Sequence, residues 1–206
     1  ETRLSNKRIR ERFAWNNAVY RQQSYTDSKT GLSYCLKHMS SFTTPLKYEF
    51  KDLKNPKNKH KGELDVQVIF DPHCYTSEKK AGDNRDTLVT DHYDDGSHKE
   101  RAFDLERYTY SHALVKIIKN LSHKVCRESQ IFGKAIRLED KDKKNPLAGV
   151  YIVMKLRKRD KKLTLYVETA HYRTNEPYDA KLKRIDERYM LIFGRLLRDK
   201  WPDLLS

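Results

Sequence analysis

The stretch VYIVMKLRKRDKKLTLYVETAHYR, residues 150–173, decides the fold class of this chain. Apolar and polar residues alternate through both halves, which is the period of a β-strand with one buried face. A polar turn around Arg159 and Asp160 separates the halves, so the sequence predicts strands over 150–158 and 161–173 joined as an antiparallel hairpin. Pairing Leu156 with Leu163 and Met154 with Leu165 gives this hairpin a core face. The predicted core face carries Ile152, Met154, Leu156, Leu163, Leu165 and Val167.

The opposite face of the predicted hairpin interleaves cations with aromatic rings. It would carry Val153, Lys155, Arg157, Arg159, Thr164, Tyr166, Glu168 and Tyr172. Lys and Arg bind phosphates and flat rings stack on bases, so such a face suits single-stranded nucleic acid. The alternative is a solvated sheet face on which Glu168 pairs with one of the cations. The predicted nucleic-acid contacts are Lys155, Arg157, Arg159, Lys162 and Tyr166.

The remaining patterns predict helices and further strands around this hairpin. Strands are expected over 45–53, 63–70 and 131–139, the first two as an antiparallel pair. A first helix is expected over 6–24. A second helix is expected to begin after Asp104 as its cap, and one of its faces carries Leu105, Tyr108, His112, Val115 and Ile118. A third helix is expected over 180–201, and its apolar stripe carries Leu182, Ile185, Tyr189, Ile192, Phe193, Leu196 and Leu197. Residues 71–102 read as a long acidic connection. The order predicts a single α+β domain with a mainly antiparallel sheet, packed by N-terminal, central and C-terminal helices.

The distribution of charge is uneven. The formal net charge is +14, yet residues 71–110 carry ten acidic and only six basic side chains. A basic body with one acidic segment attracts polyanions, of which RNA and DNA are the commonest in cells. A lysine-rich solubilising surface and a surface for an acidic protein partner are the two alternatives.

Composition also predicts where the chain works. No run approaches the roughly 18 apolar residues of a membrane span, and no apolar block resembles a signal peptide. Three widely spaced cysteines form neither a disulfide framework nor a zinc-finger pair. These features predict a cytoplasmic protein without a membrane partner.

The end of the second hairpin strand offers residues for a metal-independent RNase reaction. Cleavage by the 2′-hydroxyl needs a base, an acid and a cation, and the candidate catalytic residues are Glu168, His171, Tyr172 and Arg173. Strict alternation places Glu168 and Tyr172 on one face and His171 on the other, so the four converge only if the strand twists or bulges.

The acidic segment offers the rival chemistry of a metal-dependent nuclease. Its candidate ligands for a divalent metal, the only cofactor considered, are Asp71, His73, Asp91 and His92. Their spacing matches no standard metal motif. Pro72 and His73 are expected to start a turn away from the sheet. Cys74 beside His73 is interpreted as structural, with an activated nucleophile as the alternative.

Three short motifs carry a resemblance to a known group of proteins. HCYT at 73–76, FDLERY at 103–108 and LYVETAHYR at 165–173 resemble small bacterial proteins of the accessory genome, which mobile elements carry. The resemblance spans residues 62–173 and implies a setting in which toxins, defence factors and nucleic-acid-handling proteins are common. It assigns no catalytic residue.

These patterns together predict a basic nucleic-acid-binding protein, RNA-binding or DNA-binding, with a possible nuclease activity in a toxin or defence system. A non-enzymatic interaction module for an acidic protein is the alternative function.

Overall fold

A seven-stranded sheet forms the centre of the protein. The structure is a computed structural model, and it describes residues 8–9, 23–93, 95–129, 135–141, 149–159, 161–173 and 186–205. In chain order the strands are β1 (Arg8–Ile9), β2 (Ser24–Thr26), β3 (Ser33–Cys35), β4 (Phe42–Lys51), β5 (Lys59–Phe70), β6 (Thr76–Glu78), β7 (Thr87–Tyr93), β8 (His98–Phe103), β9 (Val125–Ser129), β10 (Ala135–Lys141), β11 (Gly149–Arg159), β12 (Lys162–Arg173) and β13 (Asp186–Arg188). The helices are α1 (Leu105–Lys119) and α2 (Tyr189–Lys200).

The large sheet has the strand order β13-β9-β10-β11-β12-β5-β4. Its neighbouring strands are antiparallel except for β5 and β12, which run parallel from the pair Val66 and Leu163 to the pair Phe70 and Val167. β2 and β3 form a separate two-stranded ribbon. The mainly antiparallel α+β fold predicted from the sequence is therefore confirmed.

The predicted β11–β12 hairpin is present, with a register two residues away from the predicted one. Met154 lies opposite Val167 and Leu156 opposite Leu165, and the turn end pairs Arg159 with Lys162. A shift of two residues keeps every side chain on its face. The six predicted core residues are accordingly buried: Ile152, Met154, Leu156, Leu163, Leu165 and Val167.

A β-bulge changes the two faces of β12 near its end. The pairing steps from Met154–Val167 to Val153–Thr169, so Glu168 is an extra residue with no opposite partner in the ladder. Beyond the bulge, Thr169 and His171 therefore share the face of β11 that carries Lys155. The sequence prediction placed Tyr172 on that face and His171 on the other, and the inserted residue makes both placements wrong.

The strand pair β4–β5 confirms the other predicted antiparallel pair. Leu46 lies opposite Leu64. β4 begins three residues earlier than predicted and ends at Lys51, two residues before the predicted end, whereas β5 begins four residues earlier, at Lys59. Gly62, the residue before the predicted second strand, lies inside β5 opposite Tyr48. The Tyr48 ring occupies the space where a side chain at Gly62 would stand, so this glycine is needed for packing.

Residues 71–102 are not an irregular connection as the sequence predicted. They contain a 3₁₀ turn at Pro72–Cys74 and the strands β6, β7 and most of β8, which pair with β1 in a second sheet of order β1-β7-β8-β6. Val89 and Asp91 are the buried positions of β7. Because one of these buried positions holds a charged residue, the sequence of β7 lacks the alternation of apolar and polar residues from which a strand is predicted.

Helix α1 begins as predicted, but a different face of it is buried. The Asp104 side chain accepts a hydrogen bond from the backbone N–H of Arg107 at 3.0 Å, which confirms the cap. The buried stripe is Ser111, Leu114 and Ile118, whereas Leu105 and His112 from the predicted stripe are exposed. Ser111 can be buried because its hydroxyl bonds Tyr108 and His38.

Helix α2 is shorter than predicted and begins at Tyr189. Its buried residues include Tyr189, Ile192, Phe193 and Leu197 from the predicted stripe, while 186–188 form β13 and Leu182 and Ile185 lie outside the described residues. The described helices are too short and too polar to cross a membrane.

The predicted N-terminal helix over 6–24 lies largely outside the described residues. Within it, Arg8–Ile9 is the strand β1, paired with Tyr93 and His92, and Ser24 begins β2. These two ends are therefore extended, contrary to the prediction. The predicted strand over 131–139 corresponds to β10, of which residues from 135 onward are described.

Gly194 fixes the approach of α2 to the sheet and provides a test of the fold. A Cβ at this position would stand 2.2 Å from the backbone carbonyl oxygen of Glu49, where neither backbone can yield. Gly194→Ala should therefore lower the free energy of unfolding by about 1–3 kcal/mol despite the better helix propensity of Ala. Denaturant unfolding followed by circular dichroism measures it. Lys200→Ala, at an exposed site of the same helix, is the control, and equal stability of the two variants would contradict the packing.

Candidate functional site

A polar cluster lies where β5 leaves the sheet, and we call it the His73 centre: Asp71, His73, Asp91, Arg101 and Arg107. The chain turns there through the 3₁₀ turn Pro72–Cys74. The buried Asp71 side chain accepts the backbone N–H of His73 at 3.0 Å and so caps this turn. Pro72 suits the first position because it has no N–H to satisfy. The expectation that Pro72 and His73 begin an excursion from the sheet is confirmed.

His73 is oriented by a buried carboxylate. Its Nε2 lies 2.7 Å from Oδ2 of Asp91, and its Nδ1 lies 3.9 Å from Oδ1 of Asp71. An ionised carboxylate only accepts hydrogen bonds, so Nε2 carries the hydrogen and donates to Asp91. The His73 side chain is 19% exposed, whereas that of Asp91 is fully buried. The imidazole therefore has a fixed orientation and a partly accessible ring.

Arg101 supports the buried charge of Asp91. Its Nη1 lies 3.8 Å from Oδ2 of Asp91, while Nε donates to Oγ1 of Thr76 at 3.0 Å and Nη2 to the carbonyl of Thr76 at 2.8 Å. Thr76 in turn donates to the carbonyl of Pro72 at 2.8 Å. A buried ion pair needs such additional hydrogen bonds to offset its desolvation. These bonds tie the small sheet to the turn that carries His73.

Arg107 joins the His73 centre to the bulged end of β12. Its Nη1 donates to the carbonyl of His73 at 2.9 Å and to Oγ1 of Thr169 at 3.3 Å. The same Thr169 hydroxyl lies 3.3 Å from Nδ1 of His171. Two histidines that the sequence assigned to different chemistries are thus connected through one arginine and one threonine.

The four predicted metal ligands do not come together. Asp71, His73 and Asp91 are neighbours, but the exposed His92 follows the buried Asp91 in β7, and its ring faces His98. Alternation along a strand puts these two successive side chains on opposite faces. Over the part of the chain that the structure describes, no group of three or more His, Cys, Asp or Glu residues is arranged to hold a metal ion.

The four predicted RNase residues are also dispersed. Glu168 bridges to Lys155, with Nζ and Oε2 2.9 Å apart, and His171 contacts Thr169. The Tyr172 ring stacks on Tyr110 of α1, with centroids 5.7 Å apart. The backbone of Arg173 pairs with Gly149, and its side chain lies outside the described residues. Within the quartet, His171 contacts Thr169, which in turn bonds Arg107 of the His73 centre.

The predicted nucleic-acid contacts form a second candidate site, which we call the hairpin face: Lys155, Arg157, Arg159, Lys162 and Tyr166. The guanidinium carbon of Arg157 lies 4.9 Å from the centroid of the Tyr166 ring. Arg157, Arg159 and Lys162 are exposed. Lys155 is partly neutralised by Glu168, which is the pairing that the alternative interpretation anticipated. Three exposed cations and one aromatic ring thus lie on one face of the hairpin.

Cys74 is a structural residue. It is fully buried, and its Sγ lies 3.5 Å from the carbonyl oxygen of Val167. Burial, aided by the Asp71 carboxylate, raises the pKa of the Cys74 thiol well above its usual value. The thiolate is the reactive form, so the nucleophile alternative for Cys74 is wrong.

Sequence reasoning missed Arg101, Arg107 and Thr169. Arg101 stands in a strand that the acidic composition concealed, and Thr169 is connected to the centre only because the bulge turns it. Arg107 follows the Asp104 cap by three residues. Its position in the first turn of α1, next to the predicted cap, is the sequence feature from which it could have been named as a candidate.

The chain belongs to the YjaZ family, whose family model matches residues 22–196. No curated protein and no solved structure matches the sequence. The family match names no activity, and the resemblance to accessory-genome proteins stays a prediction.

The environments of the three cysteines predict their reactivity. Cys35 is exposed, whereas Cys74 and Cys126 are buried, and burial raises the pKa of the Cys126 thiol to about 12. We expect a disulfide reagent at pH 8 to modify Cys35 rapidly in the folded protein and the other two only after unfolding. Mass mapping of the labelled thiols measures this, with Cys35→Ser as the control. Rapid labelling of Cys74 in the folded chain would contradict its structural role.

Proposed function

We propose that this protein binds single-stranded nucleic acid on the hairpin face. The observation that supports this most strongly is the position of Arg157 over Tyr166, next to the exposed pair Arg159 and Lys162 at the turn end of the hairpin. Stacking on a ring restrains a guanidinium while its N–H donors stay in the plane of the group, where they can meet phosphate oxygens. The stack thus supports a preorganised phosphate contact.

Bases also have a surface to stack on. The ring of Tyr166 is half-buried, and one of its sides is covered by Arg157. Bases stack on guanidinium planes as well as on aromatic rings, so the outer side of Arg157 would accept a base. Contacts of this kind tolerate every base, and we therefore propose binding with little sequence preference.

The charge of the whole chain favours the same partner. The acidic segment folds into its own small sheet, and the basic residues of the large sheet and the termini leave the formal net charge at +14. Such a field raises the association rate with polyanions and makes affinity fall with salt. Lys155 contributes less than the sequence predicted, because Glu168 offsets its charge.

Binding is tested with fluorescein-labelled single-stranded RNA and DNA of about 12 nucleotides, by anisotropy across a salt series. Arg157→Gln with Arg159→Gln should weaken binding about tenfold, since two charge-assisted contacts are lost. Each lost contact should also lower the slope of log affinity against log salt by about 0.7. Lys116→Gln with Lys124→Gln removes the same charge from exposed sites elsewhere and is the control.

Three results would contradict the proposal. The first is that neither oligonucleotide binds at about 50 mM salt. The second is that the two double variants lose equal affinity. The third is that polyglutamate competes for the protein as well as RNA and DNA do. The last result would favour the alternative function, an interaction module for an acidic protein. Unfolding curves of each variant show whether a loss comes from stability, which surface changes usually alter by no more than about 0.5 kcal/mol.

A further inference from the structure

We propose that Lys51 and Lys59, which we call the lysine pair, form a second contact for the phosphates of the nucleic acid that the hairpin face binds. The inference rests on the proposed function, because one strand would engage both contacts. It adds a phosphate-binding site at the turn end of β4 and β5, a position that no sequence prediction named.

The lysine pair is the last rung of the β4–β5 ladder, with the two residues directly opposite each other. Beyond it, the backbone N–H of Asp52 donates to the carbonyl of Asn58 at 3.0 Å. Hydrogen-bonded and non-hydrogen-bonded pairs alternate along an antiparallel ladder, so the lysine pair is of the non-hydrogen-bonded kind. In agreement, the carbonyl of Lys51 accepts from Nη1 of Arg198 at 3.1 Å. The Cα atoms of such a pair are roughly 4.5 Å apart, which brings the two side chains close together.

The neighbouring rungs show that two like charges facing each other are an exception in this ladder. On the same face, Lys47 lies opposite Glu63 and Glu49 lies opposite Lys61, so each of these rungs joins a cation to an anion. Nζ of Lys61 lies 3.3 Å from Oε2 of Glu49. Opposite charges stabilise a strand pair, and like charges directly opposite each other destabilise it. The lysine pair therefore lowers the stability of the strand end, and this disadvantage calls for a functional reason.

The lysine pair also lacks an acidic partner. Both residues are exposed, and within the described part of the chain neither has a carboxylate at ion-pair distance. Asp52, the acidic residue next in the chain, accepts the backbone N–H of Lys54 at 2.8 Å, and Asp199 bonds Arg198. An anion between the two ammonium groups would offset their repulsion and gain charge-assisted hydrogen bonds. A phosphate group is an anion of the required charge and hydrogen-bonding capacity.

The turn beyond the lysine pair is fixed by its own hydrogen bonds. The Asn55 side chain accepts the backbone N–H of Lys57 at 3.3 Å, and the Asn55 carbonyl accepts the backbone N–H of Asn58 at 2.9 Å. The two strand ends are therefore held together before any ligand binds. Preorganisation of this kind lowers the conformational entropy that binding costs.

The lysine pair lies on the same face of the large sheet as the hairpin face. Val66 and Val68 of β5 are buried, so the odd-numbered residues of β5, including Lys59, project from the opposite face. β12 runs parallel beside β5, and its Tyr166 lies next to Ile69 on that opposite face. One bound strand could therefore contact both sites without passing around an edge of the sheet.

The distance between the two sites suits a short oligonucleotide. Arg157 lies opposite Thr164, which lies next to Gln67 of β5. From Lys59 to Gln67 the strand advances about 26 Å, at roughly 3.3 Å per residue. A stacked single strand advances about 3.4 Å per nucleotide, so about 12 nucleotides reach both sites. The charge-matched rungs lie between them, and the lysine pair is thus a separate contact and not an extension of the hairpin face.

The test uses the whole chain and fluorescein-labelled single-stranded RNA and DNA of about 12 nucleotides, with anisotropy measured across a salt series. Lys51→Gln with Lys59→Gln should weaken binding about tenfold, since two charge-assisted contacts are lost. The slope of log affinity against log salt should fall by about 1.4, which is about 0.7 for each contact. Lys54→Gln with Lys57→Gln is the matched control, because it removes the same charge from exposed positions of the same turn that are not paired in the ladder. It should leave affinity and slope close to those of the parent.

A charge reversal separates binding from stability. Lys59→Glu places an opposite charge across from Lys51, so the urea concentration at the midpoint of unfolding should rise. Affinity for the same oligonucleotides should nevertheless fall by more than about tenfold, because a negative charge stands where a phosphate would bind. Lys57→Glu makes the same charge change outside the ladder and should not raise the midpoint. A midpoint of Lys59→Glu that stays unchanged or falls, or an affinity that stays unchanged, would contradict the proposal.

Failure of this inference and failure of the proposed function are distinguishable. If no oligonucleotide binds, both are wrong. If Arg157→Gln with Arg159→Gln weakens binding while the two lysine double variants lose equal affinity, the hairpin face stands and the lysine pair is overturned. If only the lysine-pair variant weakens binding, the lysine pair stands as a phosphate contact and the hairpin face is overturned.

Vesicles of phosphatidylserine and phosphatidylcholine test the other common source of phosphate groups. We expect the parent and the lysine-pair variant to sediment with them equally. Sedimentation that the lysine-pair variant loses, together with an unchanged affinity for the oligonucleotides, would assign these lysines to lipid headgroups and overturn the inference.

Discussion

The parallel pairing of β5 with β12 is the constraint on which the rest of the structure depends. It joins the early hairpin β4–β5 to the late hairpin β11–β12, and it brings together residues such as Cys74 and Val167 that are 93 positions apart in the chain. Helices α1 and α2 pack on the sheet that this pairing completes. The 3₁₀ turn at Pro72–Cys74 follows directly from the end of β5, so the same pairing places His73 beside Thr169 of β12.

The functional arrangement follows from how the two paired strands end. β5 stops at Phe70, while β12 continues to Arg173 and carries its bulge in the part that has no β5 neighbour. The space beyond β5 is filled by the turn of His73 and by Arg107 from the first turn of α1. A basic, aromatic sheet face therefore runs into a cluster of histidines and arginines. The hairpin face and the His73 centre are thus linked through the strand β12.

Patterns local in sequence predicted much of the fold. Alternation in 150–173 predicted the hairpin and all six of its core residues, and Asp104 predicted the start of α1. No local pattern in the sequence predicts the parallel pairing of β5 with β12. The alternation of apolar and polar residues shows which side chains share a face of a strand, but it does not show which strand lies next to it. The small sheet was missed since its buried positions include Asp91 and Arg101, whose partners include each other, His73 and Thr76, which local patterns do not reveal. For the same reason the sequence singled out His73 and His171 separately and could not show that Thr169 contacts both, at the backbone carbonyl of His73 and at the ring of His171.

The parallel joint also has a consequence for the newly made chain. Once β5 has been synthesised, the edge that will bond β12 must wait for more than ninety further residues, which takes about 5–20 s at translation rates of 5–20 residues per second. Through that interval the backbone N–H and C=O groups around Val66, Val68 and Phe70 form an open strand edge with an apolar face, a template for pairing with other chains. During synthesis this edge is therefore open to pairing with strands of other chains, and the arrival of β12 closes it.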